Sequence, residues 1–174
     1  MSSTSRAFAV LIVSYALMGL ESPLLQELEL SFFAPDLALI SVVWVAFNMN
    51  SVSGALTCFV LGAMKDGFVM GAPIGMHMEI FVVEFYLLRL VSGRIPIRGL
   101  LTSMLATGMA ELLAVLLFGF LSVIFDPTFQ HYSMLWRLMV PVALVTAPFA
   151  PLVFYLLDRV DRVFRQSGRD SLFA

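Results

Sequence analysis

A chain of 174 residues that is 60% hydrophobic, 13% charged and +0.96 in mean hydropathy has too few polar side chains to cover a water-soluble globule. Ten Lys and Arg against twelve Asp and Glu give a net charge of −2, which excludes a broadly basic nucleic-acid-binding surface. The single cysteine, Cys58, excludes an internal disulfide and a Cys-based metal cluster. Lipid is therefore the expected solvent, and at roughly 20 residues per helical crossing the chain has room for five or six crossings in one domain.

Taken from the N-terminus, the first apolar stretch runs uncharged from Ala7 to Leu20 and lacks a small-x-small cleavage site before a polar mature region, so it reads as a retained helix rather than a signal peptide. Apolar run length and Gly, Pro and charge punctuation place crossings at about 6–25, 35–49, 51–66, 74–91, 98–124 and 133–157, followed by a basic tail over 158–174. The second and third are the ambiguous pair. Residues 37–64 carry no charge, and a polar run from Asn48 to Gly54 is their only interruption. Kept whole, that stretch would be a helix of about 42 Å and would have to tilt steeply.

Charge placement favours the split. With six crossings and the N-terminus inside, Arg6, Arg89, Arg94, Arg98, Arg159, Arg162, Arg165 and Arg169 lie inside, against Lys65 and Arg137 outside, eight to two. Five crossings with the N-terminus outside give seven to three, because Arg6 changes sides. Both termini are thus expected in the cytoplasm.

Ionisable groups at membrane depth cost about 2.5 to 3.5 kcal/mol each on insertion scales, which singles out Lys65, Asp66, Glu79, Glu84 and Glu111. His77 and Glu84 are seven residues apart and point the same way on a helix, whereas Glu79 points elsewhere. The His77 and Glu84 pair reads either as a proton relay or ligand contact, or as an interhelical hydrogen bond or partner contact. Lys65 and Asp66 read either as a buried ion pair or as side chains snorkelling from a helix end to the interface. On the fifth helix, Ser103, Thr107 and Glu111 run beside Ala106, Ala110 and Ala114 at i, i+4 spacing, a small-residue face suited to packing on another helix. Pro141, Pro148 and Pro151 are expected to kink or interrupt the last helix. In the tail, Arg159, Arg162 and Arg165 keep helical phase beside Asp158, Asp161 and Asp170, reading as a topology anchor or as a contact for anionic lipid.

Catalytic signatures are missing. The chain has no HExxH zinc motif, no Gly-rich phosphate loop and no Gly-x-Ser-x-Gly elbow, and Ser51 stands where the Gly-x-Ser-Gly of rhomboid proteases has its glycine. No catalytic residue, cofactor or metal ligand is assigned.

The stretch from Leu24 to Arg94, about 70 residues, resembles the rod shape-determining MreD family. Pro35 and Asp36 stand at the opening of the second helix; Gly54, Leu61 and Gly62 make a glycine-bearing third helix that closes on Asp66. Gly71, Ala72, Pro73, Ile74 and Gly75 supply a Gly-x-Pro-x-Gly turn, and Arg89 and Arg94 end the fourth helix. Asp66 is flanked by Lys65 and Gly67, where the family shows apolar residues. The resemblance implies a six-helix bundle similar to the substrate-binding subunit of energy-coupling-factor transporters, located in the bacterial inner membrane as a noncatalytic part of the cell-elongation machinery. Its implied partners are membrane lipid, the single-pass MreC protein and, through it, the MreB filament, the RodA glycosyltransferase and a penicillin-binding transpeptidase, with no nucleic acid. A solute-binding subunit of a vitamin or ion transporter is the alternative, with Glu79, Glu84 and Glu111 lining a pocket. Against it, the Ala-x-x-x-Ala surface of such subunits is missing between Ala7 and Leu20.

Overall fold

The computed structural model describes residues 3–27, 34–68, 75–93, 99–125 and 132–170, with side chains described except at 3, 21–27, 132–134, 136 and 164–170. Six helices, and no strand among the described residues, make up the chain: α1 (Ser3–Glu27), α2 (Leu37–Asn48), α3 (Ser51–Phe68), α4 (Met76–Ser92), α5 (Leu100–Phe125) and α6 (Tyr132–Asp170). Each expected helix corresponds to one of them. The uncharged stretch over 37–64 is split at Met49 and Asn50, where Met49 is extended (φ −111°, ψ 162°) and ends α2. Two helices, over Leu100–Phe125 and Arg137–Val163, are long and apolar enough to cross a membrane, while Thr4–Leu20 and Leu37–Asn48 are shorter apolar helices.

The core sits around α2. Every residue from Ala38 to Ala46 is buried, so this helix is enclosed on all sides, as a helix without a polar face requires. α1, α3, α4 and α6 surround it, with α5 closing the gap beside α4. The outside is apolar as well: Phe8, Ile12, Leu56, Leu90, Leu105, Phe120, Leu144 and Leu152 are among the large hydrophobic side chains left exposed. An exterior as apolar as its interior suits a lipid surround, not water.

Cross-contacts fix the alternation of the helices. Arg6 at the start of α1 meets Asp161 late in α6, and Trp44 late in α2 meets Asp158 of α6. At the other end, the start of α2 meets α6 at Thr146, and Met76 at the start of α4 meets Ser122 late in α5. Consecutive helices therefore run in opposite directions, the arrangement six crossings require.

α3 and α4 approach to backbone contact. A Cβ built on Gly62 would lie 2.5 Å from the Cα of Met78 and 2.6 Å from the carbonyl oxygen of His77, so only glycine lets the two backbones touch there. Gly54 makes room for the Phe85 ring in the same way, at 2.5 Å.

α6 holds Pro141, Pro148 and Pro151 within one helical run and is interrupted at none of them, and it continues past Leu157 to Asp170, as the helical phase of the tail implies. A proline deprives only the carbonyl four residues earlier of its partner, and the rest of a 39-residue helix keeps its ladder.

Candidate functional site

With twelve residues α2 is about 18 Å long, shorter than a bilayer hydrocarbon layer of about 30 Å. Both its ends then lie at a depth where open backbone groups need partners from the protein. Charged side chains supply them, and this produces two polar clusters.

At the start of α2, Asp36 is the N-cap and accepts from the Leu39 amide at 2.9 Å, while its own amide donates to Thr146 Oγ at 3.0 Å. Its second carboxylate oxygen takes the Lys65 ammonium, which also lies over the Phe81 ring, 5.3 Å from the centroid. Lys65 therefore turns inward and pairs with the N-cap of a different helix instead of snorkelling outward. Buried Pro35 precedes Asp36, and its carbonyl accepts from Leu37 at 3.0 Å.

One residue on, Asp66 closes the start of α4. It accepts from the Gly75 amide at 2.8 Å and the His77 amide at 3.1 Å, and its Oδ1 lies 2.6 Å from His77 Nδ1. Gly75 makes this geometry available with φ +102°, in the left-handed region, which no Cβ obstructs here. A carboxylate at the first turn of α4 also meets the positive end of its dipole. The imidazole is thus committed to Asp66 and not to Glu84. Gly71 and Pro73, the other turn residues singled out in the sequence, lie outside the described residues, as does Arg94.

At the far end of α2 the pattern inverts, and donors meet carbonyls. Arg89 donates to the carbonyls of Met49 and of Ala46, the latter at 3.3 Å, while stacking on Phe85 at 6.0 Å. Asn48 Nδ2 takes the Trp44 carbonyl at 3.0 Å, and the Met49 amide takes Val45 at 2.9 Å. The Trp44 indole donates to Asp158 at 2.8 Å. Arg6 lies over the same indole at 5.6 Å and pairs with Asp161 through both carboxylate oxygens.

Sequence reasoning passed over Trp44, and it read Arg6, Asp158 and Asp161 only as charges that set the topology or flank the tail. A tryptophan in the middle of an apolar helix was the available signal, because a buried indole N–H needs an acceptor.

Between the clusters lies an acidic seam. Glu84 is fully buried on α4, and Glu111 (4% exposed) and Thr107 (0%) face inward on α5 with Ser103 and Ala110. Glu84 lies within electrostatic reach of Glu111, Asp36 and Lys65, and neither of its oxygens has a hydrogen-bond partner among the described residues. The small-residue face of α5 packs within the chain: Ser103, Thr107, Ala110 and Glu111 are buried, and Ala106 and Ala114 pack against the core. Glu79 is exposed. Two apolar grooves open on the outside, one of about 550 Å³ between α1 and α3 and one of about 380 Å³ between α4 and α5, and Glu84 and Glu111 line neither. No group of three or more His, Cys, Asp or Glu that could hold a metal occurs among the described residues.

What this arrangement does is hold a short, enclosed helix in a membrane-type bundle by satisfying its ends with charge. The family model of rod shape-determining protein MreD matches residues 3–160 of the chain. No curated protein and no solved structure matches it.

Proposed function

The chain belongs to the MreD family of rod shape-determining proteins, and from that premise we propose that it is a noncatalytic, multi-pass component of the cell-elongation machinery in the bacterial cytoplasmic membrane. In this role it holds a single-pass MreC-like protein and, through it, couples wall synthases of the RodA and penicillin-binding classes to the MreB filament. Both termini face the cytoplasm, in keeping with the eight-to-two distribution of Lys and Arg. The observation that carries the reading is the family match over nearly the whole chain. The architecture is compatible with it: a bundle whose polar side chains are spent on its own helix ends presents an apolar exterior to other membrane helices.

The solute-binding alternative would have Glu79, Glu84 and Glu111 line one pocket, whereas Glu79 is exposed on α4 and Glu84 and Glu111 are buried. The scaffold reading is therefore the one carried forward. Depleting the protein from a rod-shaped host should round the cells, and affinity purification of the tagged chain in mild detergent should recover a single-pass coiled-coil protein. Rods of normal shape after depletion, together with tight binding of a vitamin to the purified chain, would overturn it.

A further inference from the structure

Read as a string, the stretch from Asp158 to Arg162 is electrically balanced, with two aspartates against two arginines. The helix sorts them by face. Asp158 is turned to the core, where it accepts the Trp44 indole, and Asp161 is buried against Arg6. Arg159 and Arg162 are exposed on the adjacent, outward-facing side. Each makes one long hydrogen bond, Arg159 to the Tyr155 hydroxyl at 3.5 Å and Arg162 to the Asp158 carbonyl at 3.4 Å. A guanidinium has five donors, so most of theirs remain for a ligand.

We propose that this face of α6, as it leaves the bundle, binds the phosphate of an anionic phospholipid through Arg159 and Arg162. Three residues apart on a helix, the two side chains are neighbours, and the planar fork of arginine matches phosphate oxygens in pairs. Amphipathic order along the helix selects a lipid over a free ion. Phe149 (42% exposed) and Leu152 (57%) continue the same outward face toward the bundle's middle, where acyl chains would lie, and Tyr155 stands between them and the arginines. Arg6 and Arg89, at the same end, are spent on Asp161 and on carbonyls of α2, which leaves the α6 face to meet the headgroup. The inference rests on the proposed topology, in which this end faces the cytoplasmic leaflet, where anionic lipid concentrates.

The test uses the full chain reconstituted in phosphatidylcholine vesicles with or without phosphatidylglycerol, extracted gently and read by native mass spectrometry for retained lipid. Wild type should retain phosphatidylglycerol over phosphatidylcholine. The double variant Arg159→Gln/Arg162→Gln should lose that preference by about fivefold per arginine. Arg137→Gln, an exposed arginine at the opposite end of α6, should keep it. Added inorganic phosphate should not displace the lipid, and high salt should. Unchanged retention in the double variant overturns the proposal, and so does full displacement by inorganic phosphate, which would make the ligand a free anion. Should the double variant fail to insert, the charge-keeping Arg159→Lys/Arg162→Lys must retain part of the preference, and none retained counts equally against a site for charge. Cell-shape complementation by these variants is scored separately, so the lipid site and the elongation role fail independently.

Discussion

The two ends of α2 are both closed by charge, but by different kinds of bond. At its start, Asp36 is shared between a backbone amide and Lys65, and the neighbouring Asp66 is shared between two amides and His77. At its end, Arg89 closes the carbonyls, and the outermost pair, Arg6 with Asp161, joins side chain to side chain. Exposure does not separate the two ion pairs: the Lys65 side chain is 19% exposed and that of Arg6 23%. The acid separates them, because removing Asp36 opens a helix start as well as an ion pair, whereas removing Arg6 takes from Asp161 an ion pair alone. Position within a helix, more than degree of burial, sets what an ionic contact is worth here.

The largest effect should follow from breaking the first cluster. Asp36→Ala should destabilise the protein by about 3 kcal/mol, the loss of an N-cap added to the loss of the Asp36 carboxylate beside a partly buried Lys65. Unfolding of the purified chain by SDS in mixed micelles measures it. Asp36→Asn combined with Lys65→Met keeps the cap and removes both charges, and should recover most of the loss. If the double change is as unstable as Asp36→Ala, the ion pair contributes more to this end than the cap does.

Next comes the close approach that lets Asp66 reach α4. Gly62→Ala drives a methyl group into the Met78 and His77 backbone, which cannot swing aside as a side chain can, and should cost about 2 kcal/mol and part of the shape complementation. Gly67→Ala, a helical glycine with open space around it, serves as the control. Equal stability of the two variants would mean that α3 and α4 are not in backbone contact. Slightly smaller is the turn: Gly75→Leu should lose roughly 1 to 2 kcal/mol to its positive φ alone, because nothing lies near its Cβ position, whereas Met76→Leu should be tolerated. The same SDS titration reads both.

Six helices were legible because apolar run length and punctuation are local signals, and the polar residues from Asn48 to Gly54 were enough to mark where α2 gives way to α3. The turn glycine was legible for the same reason. The partners of the charged residues were not. Helix phase put His77 and Glu84 on one buried face, but it says nothing about Asp66, which reaches His77 from another helix across a turn. Lys65 at a helix end looked free to snorkel, yet α2 is so short that its N-cap lies within reach of the ammonium. Arg6 and Asp161 are 155 residues apart, and only the alternation of the helices brings them to one end. The prolines of α6 were read by their local cost, which packing along a 39-residue helix absorbs.

The smallest effect sharpens the comparison from its other side. Arg6→Gln should cost about 1 kcal/mol, since the guanidinium is partly exposed and its ion pair with Asp161 gains modest Coulomb energy. Asp158 keeps the Trp44 indole, so the core contact of α6 survives. The SDS titration that registers Asp36→Ala as a large shift should place Arg6→Gln near wild type, and the difference should persist at high salt, because the Asp36 contribution includes a hydrogen-bonded cap that ions do not screen. Equal losses from the two variants would sink the distinction between an acid that caps a helix and one that only pairs with a cation.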